Sequence, residues 1–281
     1  MNTDSKLYAS VFDSRDQESL GRFLAKVGRE LYLYRFALRN FVFNTLRTRY
    51  RRSVLGFLWS LLNPFFSMMV MAVVFSVVFR LEFKNFSMYV FSGLIPWSYI
   101  SACLIGGTQA LINAEGFLKK VYVPKIIFPM MVVTVETVNL FFSVVSMSLL
   151  ALLFGAPISW HIVLLPLAIV IAFLFNLGLV LIVSIVTIYF RDLTHILTVV
   201  LQALFYLVPI VYPLDVFPES TRRLFLLNPF YYFINLFRKT IYSQEAMVWQ
   251  DWLIPLALAV VSLSIGIVIL KAQDREVVYR L

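Results

Sequence analysis

Groups that do chemistry are scarce in this chain. It has one cysteine and two histidines in 281 residues, so no intrachain disulfide and no Cys/His metal cage can form. The single thiol, Cys103, lies in an apolar run and carries no information about redox compartment. There is no G-x-x-x-x-G-K-[ST] phosphate loop, no G-x-S-x-G elbow, no CxxC and no His pair at helical spacing. Any ATP-driven work must therefore take its energy from another chain. Charge is thin as well, at 14% of residues against about 25% in soluble domains. The first 19 residues mix Lys6, Asp13, Arg15, Asp16 and Glu18 without an apolar core, so no cleavable signal peptide is expected.

What the chain has instead is apolar length: 61% hydrophobic and 16% aromatic residues. A knot of Arg47, Arg49, Arg51 and Arg52 ends at Ser53, and from there to Phe79 no side chain is charged. That run makes a helix of roughly 40 Å, enough to cross a ~30 Å hydrocarbon core with tilt or a kink at Pro64. Further uncharged runs place spans near 85–114, 126–154, 163–188, 193–212 and 252–270. The second is overlong and carries Pro96, which predicts a break or re-entrant stretch at Ile95-Pro96-Trp97. The reading is an all-α integral membrane protein with six transmembrane helices. Eighteen of the 24 Lys and Arg fall on the segments assigned to the inside and six on those outside, which places both termini in the cytoplasm. Arg222, Arg223, Arg238 and Lys239, after the fifth span, are the exceptions. With its basic residues so placed, the net charge of +9 fits anionic lipid headgroups rather than nucleic acid.

The chain divides into a tail (1–19), an amphipathic region (20–52), the six-span membrane domain (53–272) and a second tail (273–281). Leu20, Leu24, Val27, Leu31, Tyr34, Leu38 and Val42 share one helical face, with Arg22, Lys26, Arg29 and Arg47 opposite. This predicts a basic helix in the membrane interface, well formed from about Arg29 because Gly21 and Gly28 weaken its start. Docking on a soluble partner is the other use of such a helix. Within the membrane domain, residues 213–251 are too short in apolar length to cross and predict a pair of re-entrant helices on the outer side. One of them starts at Asn228-Pro229, with Asn as cap and Pro at the first helical position. The same LLNPF pentapeptide occurs at 61–65 and 226–230, either as an internal repeat or as reuse of a helix-start signal.

Candidate functional groups are few. Glu136 is the one carboxylate within a predicted span, with Asn139 a turn later. It marks a polar path, a subunit contact or a hydrogen-bonded packing group. Trp59, Phe65, Phe66, Tyr89, Trp97, Phe205 and Tyr206 are aromatics able to stack on sugar rings and so line a path for a polymer, although most membrane aromatics pack or sit at the interface. Two short polar elbows lie on the inner side: Asn113 to Lys125, and Tyr189 to Asp192.

The run RTRYRRSVLGFLWSLLNP, Arg47 to Pro64, resembles the opening of permease subunits of polysaccharide-export ABC transporters, with matching Tyr50, Ser53, Leu55, Gly56, Trp59 and Pro64. Glu115 to Pro129 looks like that family's first coupling element, Tyr189-Phe190-Arg191-Asp192-Leu193 like its second inner loop, and Leu227-Asn228-Pro229 like the start of its outer re-entrant pair. The resemblance covers about Arg29 to Leu270 and implies a homodimer in the bacterial inner membrane with two copies of an ABC ATPase subunit. It would move a lipid-linked polysaccharide, in the order O-antigen, capsule, teichoic acid. It further implies that Glu115, Gly116, Phe117, Lys119, Lys120, Arg191 and Asp192 meet the ATPase, and that Arg47, Arg49, Arg51 and Arg52 meet the substrate headgroup. No cofactor would bind this chain, ATP-Mg being held by the partner. The alternatives are a drug or lipid exporter of the same superfamily, a membrane acyl- or glycosyltransferase using Glu136 or His161 as base, and a scaffold subunit.

Overall fold

The computed structural model describes residues 19–49, 55–80, 82–156, 158–214, 217–242, 246–274 and 276–280. Tyr50, Arg51, Arg52, Ser53 and the tail before Ser19 lie outside the described residues. Among the described residues every regular element is helical. Two helices, α1 (Leu20–Leu33) and α2 (Arg35–Arg49), precede α3 (Trp59–Phe79) and α4 (Phe83–Gln109). A short α5 (Glu115–Leu118) leads to α6 (Ile127–Phe154), and α7 (Leu165–Tyr189) follows a 3₁₀ turn at Trp160–Leu164. Then come α8 (Leu193–Leu207), α9 (Glu219–Leu226), α10 (Pro229–Ile241), α11 (Trp249–Gln273) and α12 (Glu276–Arg280). Five of these segments are long and apolar enough to cross a membrane: α3, α4, α6, α7 with its 3₁₀ turn, and α11. The chain is thus a multi-pass membrane protein.

The core lies around α4 and α7, the two most enclosed spans. Phe91, Ile95 and Ile100 of α4 and Val180, Leu181 and Ile185 of α7 are essentially solvent-free. The expected break at Pro96 is absent, and α4 runs through it. Proline removes one hydrogen bond from a helix, but residues 90–97 are all buried, so packing on both sides holds the turn. The closest helix crossing is between α7 and α11. A methyl group on Gly178 would lie 2.3 Å from the Ser262 carbonyl carbon, and one on Gly266 would lie 2.6 Å from the Gly178 oxygen. The Ser262 hydroxyl donates to the Phe175 carbonyl at 3.1 Å. Small residues that let backbones touch are how helices associate where no hydrophobic force separates protein from lipid.

The fifth predicted span is not one helix. At 15 residues, α8 is about 22 Å long, and residues 208–212 leave it as irregular backbone. Val208, Ile210 and Val211 are nonetheless buried, so their peptide groups need partners. The Arg238 guanidinium donates to the Pro209 and Ile210 carbonyls at 2.9 and 3.0 Å, and the Tyr89 hydroxyl donates to the Tyr212 carbonyl at 2.9 Å. Arg238 also stacks 3.8 Å above the Tyr89 ring. Gly93 makes the room: a methyl there would meet Arg238 Nη2 at 2.9 Å. Lys239 pairs with Asp251 at 2.8 Å and Arg223 with Glu219 at 3.1 Å. Basic residues on the unexpected side are therefore consumed by local structure.

The amphipathic helix differs from its expected form. It breaks at Tyr34 rather than weakening at Gly21, and α1 is helical from Leu20, with Ser19 capping Arg22 N–H. Val27 and Val42 are buried as the pattern requires, but Leu20 and Leu24 are exposed and Phe23 is buried instead. The two LLNPF segments also part company. Asn228 accepts from Phe230 N–H at 3.0 Å and starts α10, whereas Asn63-Pro64 lies inside α3.

Two substitutions of opposite sign test this packing. Gly178→Ala should destabilise by about 1–3 kcal/mol, because backbone cannot move aside as a side chain can. Gly28→Ala meets nothing within 4 Å and should stabilise α1 by about 0.5–1 kcal/mol. Thermal unfolding in detergent reads the first and hydrogen exchange of α1 amides the second; a Gly178→Ala protein as stable as the parent would contradict the crossing.

Candidate functional site: a polar-lined cleft and two elbows

Helix α2 climbs α6 in parallel. Phe41 packs edge-on to Phe117 at 5.5 Å and against Phe128 at 5.8 Å. The Thr45 hydroxyl approaches Met131 Sδ at 3.7 Å. One turn on, Arg49 Nη2 donates to Glu136 Oε1 at 2.8 Å. Each step along α2 thus meets a matching step along α6, which carries a predicted headgroup arginine to the lone carboxylate of the span. Asn139 Nδ2 donates to the other oxygen, Oε2, at 2.7 Å. The carboxylate therefore has a charged partner on one side and an amide on the other, the pairing that a low-polarity setting demands.

Glu136 and Asn139 line a cleft of about 700 Å³ between α3, α4 and α6. Its polar lining is completed by Asn63, Ser67, Ser98 and Ser143, and Phe66 lies on its wall. The other nominated aromatics are placed elsewhere. Trp97 is buried between Phe205 and Phe230, at 6.1 and 6.0 Å. Tyr89 is occupied by Arg238 and Tyr212. Phe65 packs on Phe66 at 5.6 Å, Trp59 is half-buried and Tyr206 is exposed beside Phe205. Phe66, Glu136 and Asn139 share one space; the remaining aromatics do not join them.

The two elbows converge at one end of the bundle. In the first, Lys119 donates to Glu115 at 2.6 Å. That bond and the Lys119 charge hold the Glu115 carboxyl below the usual range, with a smaller contribution from Arg191 of the second elbow. Gln109 Nε2 donates to Thr194 Oγ1 at 3.0 Å, joining the helix before the first elbow to the helix after the second. Gly116, Phe117, Lys119, Lys120, Arg191 and Asp192 are exposed. Arg47 is exposed near the end of α2. All seven residues nominated for an ATPase thus present at one end.

Several residues that pattern reading missed tie this end together. The Tyr122 hydroxyl donates to Glu30 at 2.9 Å, and the Tyr34 hydroxyl donates to the Tyr122 carbonyl at 3.2 Å. Burial, and then Glu30, push the Tyr122 phenol up to about 12, so it remains a donor at neutral pH. Lys125 pairs with Asp274 at 2.8 Å. The Tyr189 hydroxyl donates to Gln273 and to Glu276, and Arg280 covers its ring at 4.6 Å. The C-terminal segment therefore touches both elbows, and α1 touches the first. The only sequence signal for these contacts was polarity beside a span, because the partners are far apart along the chain.

Comparison with known proteins matches residues 38–242 to the family described as ABC-2 type transporter. A protein named O-antigen export system permease protein RfbA, from Myxococcus xanthus, is 34% identical over 255 residues, covering 90% of this chain and 98% of its own length. A protein of the same name from Klebsiella pneumoniae is 27% identical over 188 residues, covering 66% of this chain and 71% of its own.

Removing the Tyr122 hydroxyl isolates one tie. Tyr122→Phe should weaken α1 docking by about 1 kcal/mol, since Glu30 is only partly buried. The phenol's folded value lies above its unfolded value near 10, so its contribution is complete below pH 10 and lost as pH rises through about 12. Phenolate absorbance titration of the two proteins should differ by one group ionising near 12. A difference near 10 would show that the tie is absent.

Proposed function

The chain belongs to the ABC-2 type transporter family, and from that membership we propose that it is the membrane-spanning subunit of an ATP-driven exporter of lipid-linked polysaccharide, with O-antigen as the cargo. The observation that carries the reading is the full-length similarity to the M. xanthus O-antigen export permease, supported by a cleft of matching character. A sugar polymer on a lipid needs a broad path with weak, neutral contacts, and the cleft offers amides, hydroxyls and aromatic rather than rows of charge. The chain has no phosphate loop, so ATP-Mg would be held by two copies of a separate ATPase subunit acting on the exposed elbows of a homodimer.

In this reading α8 and the irregular stretch after it make the sixth crossing. The helix supplies about 22 Å, and the buried, turned backbone of residues 208–212 carries the chain on from its end. The elbows, α1 and the C-terminal segment then lie in the cytoplasm, and α9 with α10 dips into the outer face. Neither helix of that pair, at 8 and 13 residues, can cross alone. The location is the inner membrane, where lipid-linked polymer is handed outward.

Deleting the chain should abolish surface polysaccharide, and a tagged chain should co-purify an ATPase subunit. If no ATPase is captured and the surface polymer is unchanged, the reading is wrong. Replacing Glu115 by Gln or Gly116 by Leu should lower export several-fold while the protein remains in the membrane. Full export by both variants would remove the elbow from the coupling path.

A further inference from the structure

Helix α6 is 28 residues long, about 42 Å, and so exceeds a ~30 Å hydrocarbon core by about 12 Å. Its far end lies by the exposed Trp160, and Trp249, also exposed, opens α11 at the same end. Tryptophans at helix ends mark the membrane–water boundary, which assigns the excess to the basic end. Counting inward from Phe154, about 20 residues span the core, and the inner boundary falls near Thr134. Glu136 therefore lies within one turn of that boundary, on its core side, where Arg49 reaches it from α2.

The two partners are unequally accessible. The Glu136 side chain is 12% exposed and Arg49 is 41% exposed. Glu136 lines the cleft, whereas Arg49 reaches it from α2. A guanidinium binds phosphate as readily as carboxylate, and binds a multiply charged or bidentate phosphate better. Displacing Glu136 has a cost, because the carboxylate is then left with Asn139 alone in a partly buried wall. A singly charged phosphodiester, such as the headgroup of bulk anionic lipid, gains too little to offset that loss. A pyrophosphate brings more charge and bidentate oxygens, and so offsets more of that loss.

We propose that Glu136 is a specificity-determining residue: an internal competitor for Arg49 that excludes singly charged bulk lipid from the cleft and yields to a lipid pyrophosphate. The inference rests on the transport reading and adds to it a residue that sets which headgroup the site accepts. Exchange of partners releases α2 from α6 at Arg49 while Phe41 and Thr45 hold its base. A chain on the arriving headgroup meets the apolar part of the cleft, where Phe66, Val70 and Met71 lie.

The test uses the permease–ATPase complex in phosphatidylcholine nanodiscs, titrated with a long-chain polyprenyl pyrophosphate, phosphatidylglycerol or inorganic pyrophosphate. Wild type should bind the lipid pyrophosphate in preference to phosphatidylglycerol. In Glu136→Gln, phosphatidylglycerol binding should tighten and the preference should fall about tenfold. Glu136→Asp, which keeps the charge but shortens the reach, should fall in the same direction. Arg49→Gln should lose lipid pyrophosphate binding, whereas Arg39→Gln, exposed and earlier on α2, should keep the preference. Inorganic pyrophosphate should bind at least about tenfold more weakly than the lipid form because the apolar wall is unused; equal affinity overturns the lipid assignment. An unchanged preference in both Glu136 variants overturns the competitor role. Surface polysaccharide in the same strains separates the two failures. If wild type exports but the Glu136 variants keep their preference, only this inference falls. If wild type binds neither lipid and its deletion leaves the surface intact, the transport reading falls too.

Discussion

One end of the molecule depends on one guanidinium. Helix α8 stops at Leu207, and the backbone continues through the apolar interior without helical hydrogen bonds. Unpaired peptide groups there would each cost several kcal/mol. Arg238 satisfies two of the exposed carbonyls, and Tyr89 satisfies a third. The arginine fits because Gly93 leaves a slot in α4. One side chain from α10 therefore fixes the end of α8 against α4, and its neighbour Lys239 fixes α10 against α11 through Asp251. Asp251 in turn accepts from Val248 N–H and orders the start of α11. Four helices share a junction in which nearly every polar group has a stated partner.

The opposite end is built from weaker material. Three of its ties, Glu115–Lys119, Tyr122–Glu30 and Tyr189–Glu276, are exposed or half-exposed, and only Lys125–Asp274 has a largely buried member. Surface pairs contribute only about 0–1 kcal/mol each, so this end can rearrange at small cost while the arginine junction stays fixed. Such a difference suits a transporter that receives force at one face. The contact from Tyr122 to α1, followed by α2 climbing to Glu136, gives a continuous physical route from the elbow to the cleft.

Legibility followed the kind of interaction. Long apolar runs gave the spans at α3, α4, α6, α7 and α11 because hydrocarbon imposes one rule on every residue of a run. The cap at Asn228 was legible because capping is local. Pro96 misled because its cost is local while the packing that absorbs it is distant. The end of α8 was missed for a different reason: Pro209 disfavours helix at Val208, directly after Leu207, but the run 193–212 was read by its apolar length alone. Among the nominated site residues, Glu136 and Asn139 were found from polarity in an apolar setting. Their meeting with Arg49 was not visible, since it follows from the parallel ascent of α2. Ring count alone could not separate Trp97, which the structure places in the core, from Phe66, which it places on the cleft wall.

The backbone contact between Gly178 and Gly266 also has a meaning in time. The chain enters the bilayer from its N-terminus, and α7 is in place well before Trp249–Gln273 is made. Until then α7 offers lipid a notch that no acyl chain fills well, and the Phe175 carbonyl waits for Ser262. Closure of this seam is thus deferred until α11 is made. A nascent or truncated chain lacking it carries an open seam through its most enclosed helix, a feature by which membrane quality control can tell unfinished from finished protein.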